Sequence, residues 1–125
     1  MPTLIASPTP IASVGNKPKL CDEYVGLVNT GNPRISITLV RSPAGWEGTA
    51  QYGEYDEYRL VLKGMLRVEH SGGTMDVEAG QALHVEPREW VRFSTPHEAG
   101  ADYINVCMPA FSRAIIHREK SPAAP

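Results

Sequence analysis

Apolar and polar residues alternate with a period of two through much of this chain, and no long amphipathic helix stands out. Ile35-Ser-Ile-Thr-Leu-Val-Arg41 alternates cleanly; Met65–His70, Thr74–Glu78, Gln81–Glu86, Trp90–Ser94 and Ala101–Met108 also read as strands. Residues two apart share one face of a strand, so each run predicts a strand with a covered and an open side. Turn formers stand between them: Asn29-Thr-Gly-Asn-Pro33, Ser42-Pro-Ala-Gly-Trp46, Ser71-Gly-Gly73, Ala79-Gly80 and Pro109. Ser71-Gly-Gly73 predicts a tight hairpin, because glycine accepts the positive φ such turns need. Cys21–Val28 reads as a strand, with a short helical turn at Asp22-Glu23 as the alternative. Many short strands joined by Gly/Pro turns predict an all-β sandwich or barrel.

The stretch Gly45–Gly64 departs from a simple apolar-in, polar-out pattern. It reads as two strands meeting at a polar bend, the second running Glu57–Lys63 and stopped by Gly64. One parity carries Gln51, Gly53, Tyr55, Glu57, Arg59 and Val61. A face that mixes Glu and Arg with apolar residues is either solvated or lines a lumen holding a polar site. Residues 1–19, with four prolines, form an extended arm with candidate edge strands at Thr3–Ala6 and Ile11–Val14. Residues 20–110 form the barrel, and 111–125 a tail. In that tail, Phe111–His117 is a short helix or an extended cover, and Ser121–Pro125 is expected to be disordered.

Composition narrows the partners. The 125 residues carry a net charge of −2 and no lysine–arginine cluster, which argues against nucleic acid. No apolar run approaches the ~20 residues of a membrane span, and the N-terminal residues show no signal-peptide pattern, so the expected setting is the cytoplasm. Cys21 and Cys107 lie far apart and form no metal-type spacing; two reduced, packed thiols are expected.

Residues 34–110 resemble the cupin family. Its first motif reads Gly, five residues, His-x-His, three or four residues, Glu, six residues, Gly. Gly45, Gln51, Gly53, Glu57 and Gly64 fall at those positions, with both histidines replaced. The second motif opens at Gly80, and Val91 stands where its histidine would be. A hairpin, Met65–Glu78, separates the motifs as in the family. Tyr55-Asp-Glu57, Val61-Leu-Lys-Gly64 and Met108-Pro-Ala110 are also similar to the ethanolamine-utilisation branch of cupins, which lacks the same histidines. The resemblance implies a double-stranded β-helix, or jelly-roll barrel. It also implies homodimers, through strand edges that the proline-rich arm could supply. In cupins the three histidines and the Glu hold a divalent metal. Here the corresponding residues are Gln51, Gly53, Glu57 and Val91, too few donors for a transition metal, so no metal and no cofactor is expected.

The candidate chemistry centres on Glu57 as general acid or base, with His84 as its catalytic partner should it face the lumen. Arg59 would anchor a carboxylate or phosphate. Gln51, Tyr55 and Asn105 would supply polar lining, and Trp90 a ligand-contacting rim unless it packs into the core. The reading is a metal-independent cupin that binds a small polar or anionic organic molecule, with isomerisation or elimination as its reaction. The alternatives are a non-catalytic sensor and a metal-dependent enzyme using Gln51, Glu57 and His84.

Overall fold

A computed structural model describes residues 1–119. Its strands are β1 (Thr9–Pro10), β2 (Leu20–Val25), β3 (Ser36–Ser42), β4 (Trp46–Glu47), β5 (Gln51–Gly53), β6 (Asp56–His70), β7 (Gly73–Glu78), β8 (Ala82–Val85), β9 (Arg92–Thr95), β10 (Ala101–Met108) and β11 (Ile116–Arg118). All pairings are antiparallel. The main sheet runs β1-β2-β3-β10-β6-β9-β4, with β7 and β8 also on β6, and β5 pairs with β11. The chain is all-β, as the alternation predicts, and forms the jelly-roll type of barrel that the cupin resemblance implies.

Strand β6 organises the barrel. It does not stop at Gly64 but runs for 15 residues through it. Before Gly64 the buried positions are Glu57, Arg59 and Val61; after it they are Leu66 and Val68, so the inward parity switches there. Gly64 has φ +72°, and a Cβ on it would meet the Gly100 carbonyl, so only glycine fits the bend. The first half of β6 pairs with β10 and β8, and the second half with β7 and β9. One bent strand thus serves both walls.

The main core gathers Val40, Trp46, Val61, Leu66, Val68, Val77, Leu83, Val85, Val91, Phe93 and Tyr103. A smaller cluster of Tyr55, Cys107 and Ile116, with Phe111 and Ile115, closes the other end.

The arm folds onto its own barrel. Thr9–Pro10 pairs with Asp22–Glu23, whereas Thr3–Ala6 forms no strand. Further along, Asn16 N–H donates to the Glu47 carbonyl (3.1 Å) and the Trp46 indole N–H to the Val14 carbonyl (3.2 Å). In the tail a 3-10 turn, Arg113–Ile115, leads into β11, so the segment contains both a turn of helix and an extended cover. The expectation of disorder at Ser121–Pro125 lies outside the described residues.

Candidate functional site

Glu57 and Arg59 both point into the barrel. They are 4% and 5% exposed, and the Arg59 Nη2 donates to Glu57 Oε2 at 3.0 Å. Register sets their neighbours. Across the sheet, Arg59 stands opposite Asn105 on β10, which stands opposite Thr38 on β3; Glu57 stands opposite Cys107, which stands opposite Ser36. Arg59 is held on its remaining sides: Nη1 donates to the Tyr103 hydroxyl (3.1 Å), and the guanidinium lies 3.5 Å from the Phe93 ring centroid. A cation stacked on a ring and paired at both ends has little rotamer freedom left. Burial would lower the Arg59 pKa, but Glu57 beside it outweighs that and raises it, so the guanidinium stays charged.

The pair borders a chamber of about 70 Å³. At about 10–15 Å³ of such space per water, it holds about five water-sized groups. Gln51, Tyr55, Glu57, Arg59 and Asn105 all line it. Burial, then the charge of Glu57, pushes the Tyr55 hydroxyl well above its usual range, which leaves it a proton donor. The same two causes raise the Cys107 thiol, whose Sγ lies 4.0 Å from Glu57 Oε2. A protonated thiol is a poor nucleophile.

Two residues singled out from the sequence lie elsewhere. His84 is exposed: on β8 it stands opposite Tyr58, whose outward ring it stacks on at 4.5 Å, and its Nε2 lies 3.0 Å from Asp56 Oδ1. Leu83 and Val85 take the inward positions on either side, so His84 cannot reach Glu57. Trp90 is 48% exposed, packs edge-on against Tyr52, and is absent from the chamber wall. It lies outside both the buried core and the residues that line the chamber.

The chamber also has walls that strand-by-strand reading overlooked. Ile11–Val14 and Lys19 come from the arm, Cys21 and Thr38 from β2 and β3, Thr49 from the loop before β5, and Phe111, Ile116 and Arg118 from the tail. Arg118, the last of these, is exposed on β11 and pairs through its backbone with Gln51. In Ile115-Ile-His-Arg118 a strand-like run next to a charge was the available signal.

The residues do not fit the divalent metal of the cupin resemblance. Among the described residues no three His, Cys, Asp or Glu side chains converge. A Cβ on Gly53 would strike the Tyr55 ring, so the volume a histidine there would need is filled by an aromatic side chain. Val91 is buried in the core, and Glu57 already faces a fixed cation, which opposes a second one.

Comparison with known proteins agrees with this architecture. A cupin domain profile matches residues 38–107. A relative named Endoribonuclease YbeY, from Myxococcus xanthus (strain DK1622), is 32% identical over 101 residues. That is 81% of this chain but 34% of the relative, so the chain spans about a third of that protein. Among solved structures, Pac13 of Streptomyces, a unique nucleoside dehydratase, has a TM-score of 0.73 at 11% identity, over 96% of this chain and 91% of that one. A putative ethanolamine utilization protein Q from Salmonella typhimurium has a TM-score of 0.62 at 21% identity, over 83% and 97%. Oxalate decarboxylase from Bacillus subtilis has a TM-score of 0.73 at 15% identity, over 91% and 30%. With the profile covering more than half of the chain and the barrel closing as described, this protein belongs to the cupin family.

Proposed function

We propose that the barrel chamber binds a small polar or anionic organic molecule without a metal, and that Glu57 moves a proton in its isomerisation or elimination. One observation carries the reading: an ion pair buried to about 5% exposure lies against a chamber that still contains unpartnered polar atoms. Burying charge costs several kcal/mol per ion, on the order of what a well-packed apolar pair would avoid. Both recorded contacts of the Glu57 carboxylate fall on Oε2, so Oε1 is the oxygen we assign to a ligand proton. Arg59 fixes the carboxylate, and Gln51, Tyr55 and Asn105 orient the ligand. The dehydratase activity of Pac13 is an elimination and so supports the reaction class at the level of fold. A whole nucleoside exceeds the room for about five water-sized groups, so a smaller ligand is proposed here.

The test is mass spectrometry of molecules carried by the purified protein, followed by turnover assays with the wild type and Glu57→Gln. Conversion of a carried molecule by the wild type, lost by about 10²-fold or more in Glu57→Gln, is expected for a general acid–base residue. Binding without conversion in either protein would establish the sensor reading instead. We propose no RNA-cleaving role for the chamber. Arg67, Arg88 and Arg92 are each paired with carboxylates, so they offer no unmatched basic track.

We further propose a homodimer, seated on the outer face of the sheet rather than on the arm. Neighbouring strands align Leu39, Ile104, Leu60 and Ala82 in one outward row, and Ile37, Val106, Tyr58 and His84 in the next. Tyr58, Leu60, Leu62 and Met108 are 40–46% exposed on this face, and contiguous exposed apolar surface of this kind is where protein partners dock. A cytoplasmic setting is supported by Cys21 and Cys107, both buried and unpaired.

A further inference from the structure

The unpartnered polar atoms and the charges of the chamber together specify a ligand more narrowly than its size does. Among the described residues, three buried side-chain atoms of its wall lack a hydrogen-bond partner: Arg59 Nε, Asn105 Oδ1 and Thr49 Oγ1. Buried polar groups in folded proteins are almost always paired, so three on residues around one cavity point to an ordered water or a bound molecule as their partner. Arg59 Nε can only donate, Asn105 offers an acceptor and a donor, and the Thr49 hydroxyl offers both. A molecule satisfying all three must itself accept and donate.

Charge sets its sign. The wall carries Lys19, Arg59 and Arg118 against the single carboxylate of Glu57. Glu57 is matched to Arg59. Lys19 lies 3.8 Å over the Trp46 ring, with no carboxylate within ion-pair distance among the described residues. Arg118, exposed on β11, likewise has none there, and its partial desolvation lowers its pKa. An amine would meet three cations. A neutral polyol would leave Lys19 and Arg118 unanswered. A nucleotide or a sugar phosphate is too large for about five water-sized groups.

We infer that the chamber takes a short hydroxycarboxylate monoanion, its carboxylate facing Arg118 and Lys19 at the mouth and its hydroxyl reaching Asn105, Arg59 Nε and Glu57 inside. This rests on the function proposed above and names its ligand class. A carboxylate with an adjacent hydroxyl is small, its one negative charge can sit between the two unmatched cations, and its hydroxyl can donate one hydrogen bond and accept another inside. The hydroxyl side is where Glu57 would exchange a proton. Arg118 is then a binding residue contributed by the tail, and Asn105 the group that tells a hydroxy acid from a plain acid.

Isothermal titration of the full chain tests this with glycolate, lactate, acetate, glycerol and inorganic phosphate as probes, on the wild type, Arg118→Met and Asn105→Leu. Thermal melts confirm that each variant is folded. Glycolate or lactate should bind at least about tenfold tighter than acetate, glycerol or phosphate. Arg118→Met should lose about tenfold for both acids, and Asn105→Leu should remove the preference of lactate over acetate. If Arg118→Met does not fold, weakening of lactate binding by added chloride in the wild type provides the same measure. Glycerol or phosphate binding as tightly as lactate would overturn the inference, as would unchanged lactate affinity in Arg118→Met. So would no binding by any probe; a different molecule recovered from the purified protein would then leave the broader reading standing.

Discussion

Before Gly64, the two faces of β6 are inverted relative to an ordinary barrel strand. Its inner face carries a glutamate and an arginine, sealed at 4% and 5% exposure, and its outer face carries Tyr58, Leu60 and Leu62, each at least 40% exposed. In most antiparallel sheets the covered side is apolar and the open side polar. Reversing both sides of one strand is unfavourable twice over: charge is desolvated on one side, and apolar surface is left in water on the other. The contrast is what the two proposals above rest on: the inner face would take a small molecule and the outer face a second copy of the chain.

Breaking the inner face should have the largest effect. Glu57→Leu leaves Arg59 buried and unpaired and should lower unfolding free energy by about 3–5 kcal/mol, measured by urea denaturation. Glu57→Leu combined with Arg59→Met removes both charges and should recover most of that loss while abolishing ligand binding. A double variant as unstable as the single one would show that the pair is not what the inner face depends on. On the outer face, Leu60→Lys should weaken self-association by about 2 kcal/mol, read by sedimentation velocity, with a change in monomer stability within about 1 kcal/mol. A wild type that stays monomeric at high concentration removes the proposed partner. A smaller effect is expected for His84→Ala, which loses the Asp56 contact and the stack on Tyr58: about 0.2–1 kcal/mol of stability and no change in ligand affinity. An affinity change there would put His84 back beside the chamber.

The smallest effect concerns the tail. A hydrogen bond from Arg88, then one from His117, holds the Glu54 carboxyl below its usual 4.5. A carboxyl depressed on folding stabilises above its unfolded value, and that support is lost as pH falls through the folded value. Amide exchange at Ile116–Arg118 should therefore rise, relative to intrinsic rates, as the solution is acidified below about pH 4. Equal protection at pH 6 and pH 3 would show that Glu54 does not secure β11.

How much of this was legible in the sequence depends on how far apart the contributing residues lie. Tyr55, Glu57 and Arg59 share one short alternating segment, so their common face could be read directly. Asn105 and Cys107 could be placed for the same reason, on the alternation of β10. His84 was ambiguous because facing the lumen is a matter of how β8 registers on β6, a pairing between residues more than 20 apart. The flanking Leu83 and Val85 were the better guide: two apolar neighbours in one strand compete for the interior, and the residue between them is left outside. The contributions of Lys19 and Thr49 were not readable, and that of Arg118 was signalled only by the strand-like run before it: Lys19 and Arg118 reach the chamber through the folding back of the two terminal segments, and Thr49 through the loop before β5. The run through Gly64 was misjudged because glycine both ends strands and bends them, and only the carbonyl of Gly100 pressed against it decides which.

The seating of the Tyr55 ring over Gly53 has a consequence for any attempt to install a metal. Restoring a histidine at that position would not by itself rebuild a metal centre, since the newcomer would first have to evict the aromatic ring, and a fixed guanidinium would still repel the ion. Under the metal-free reading proposed above, installing a metal would take at least two changes at once, a smaller residue in place of Tyr55 and removal of the Arg59 charge beside Glu57.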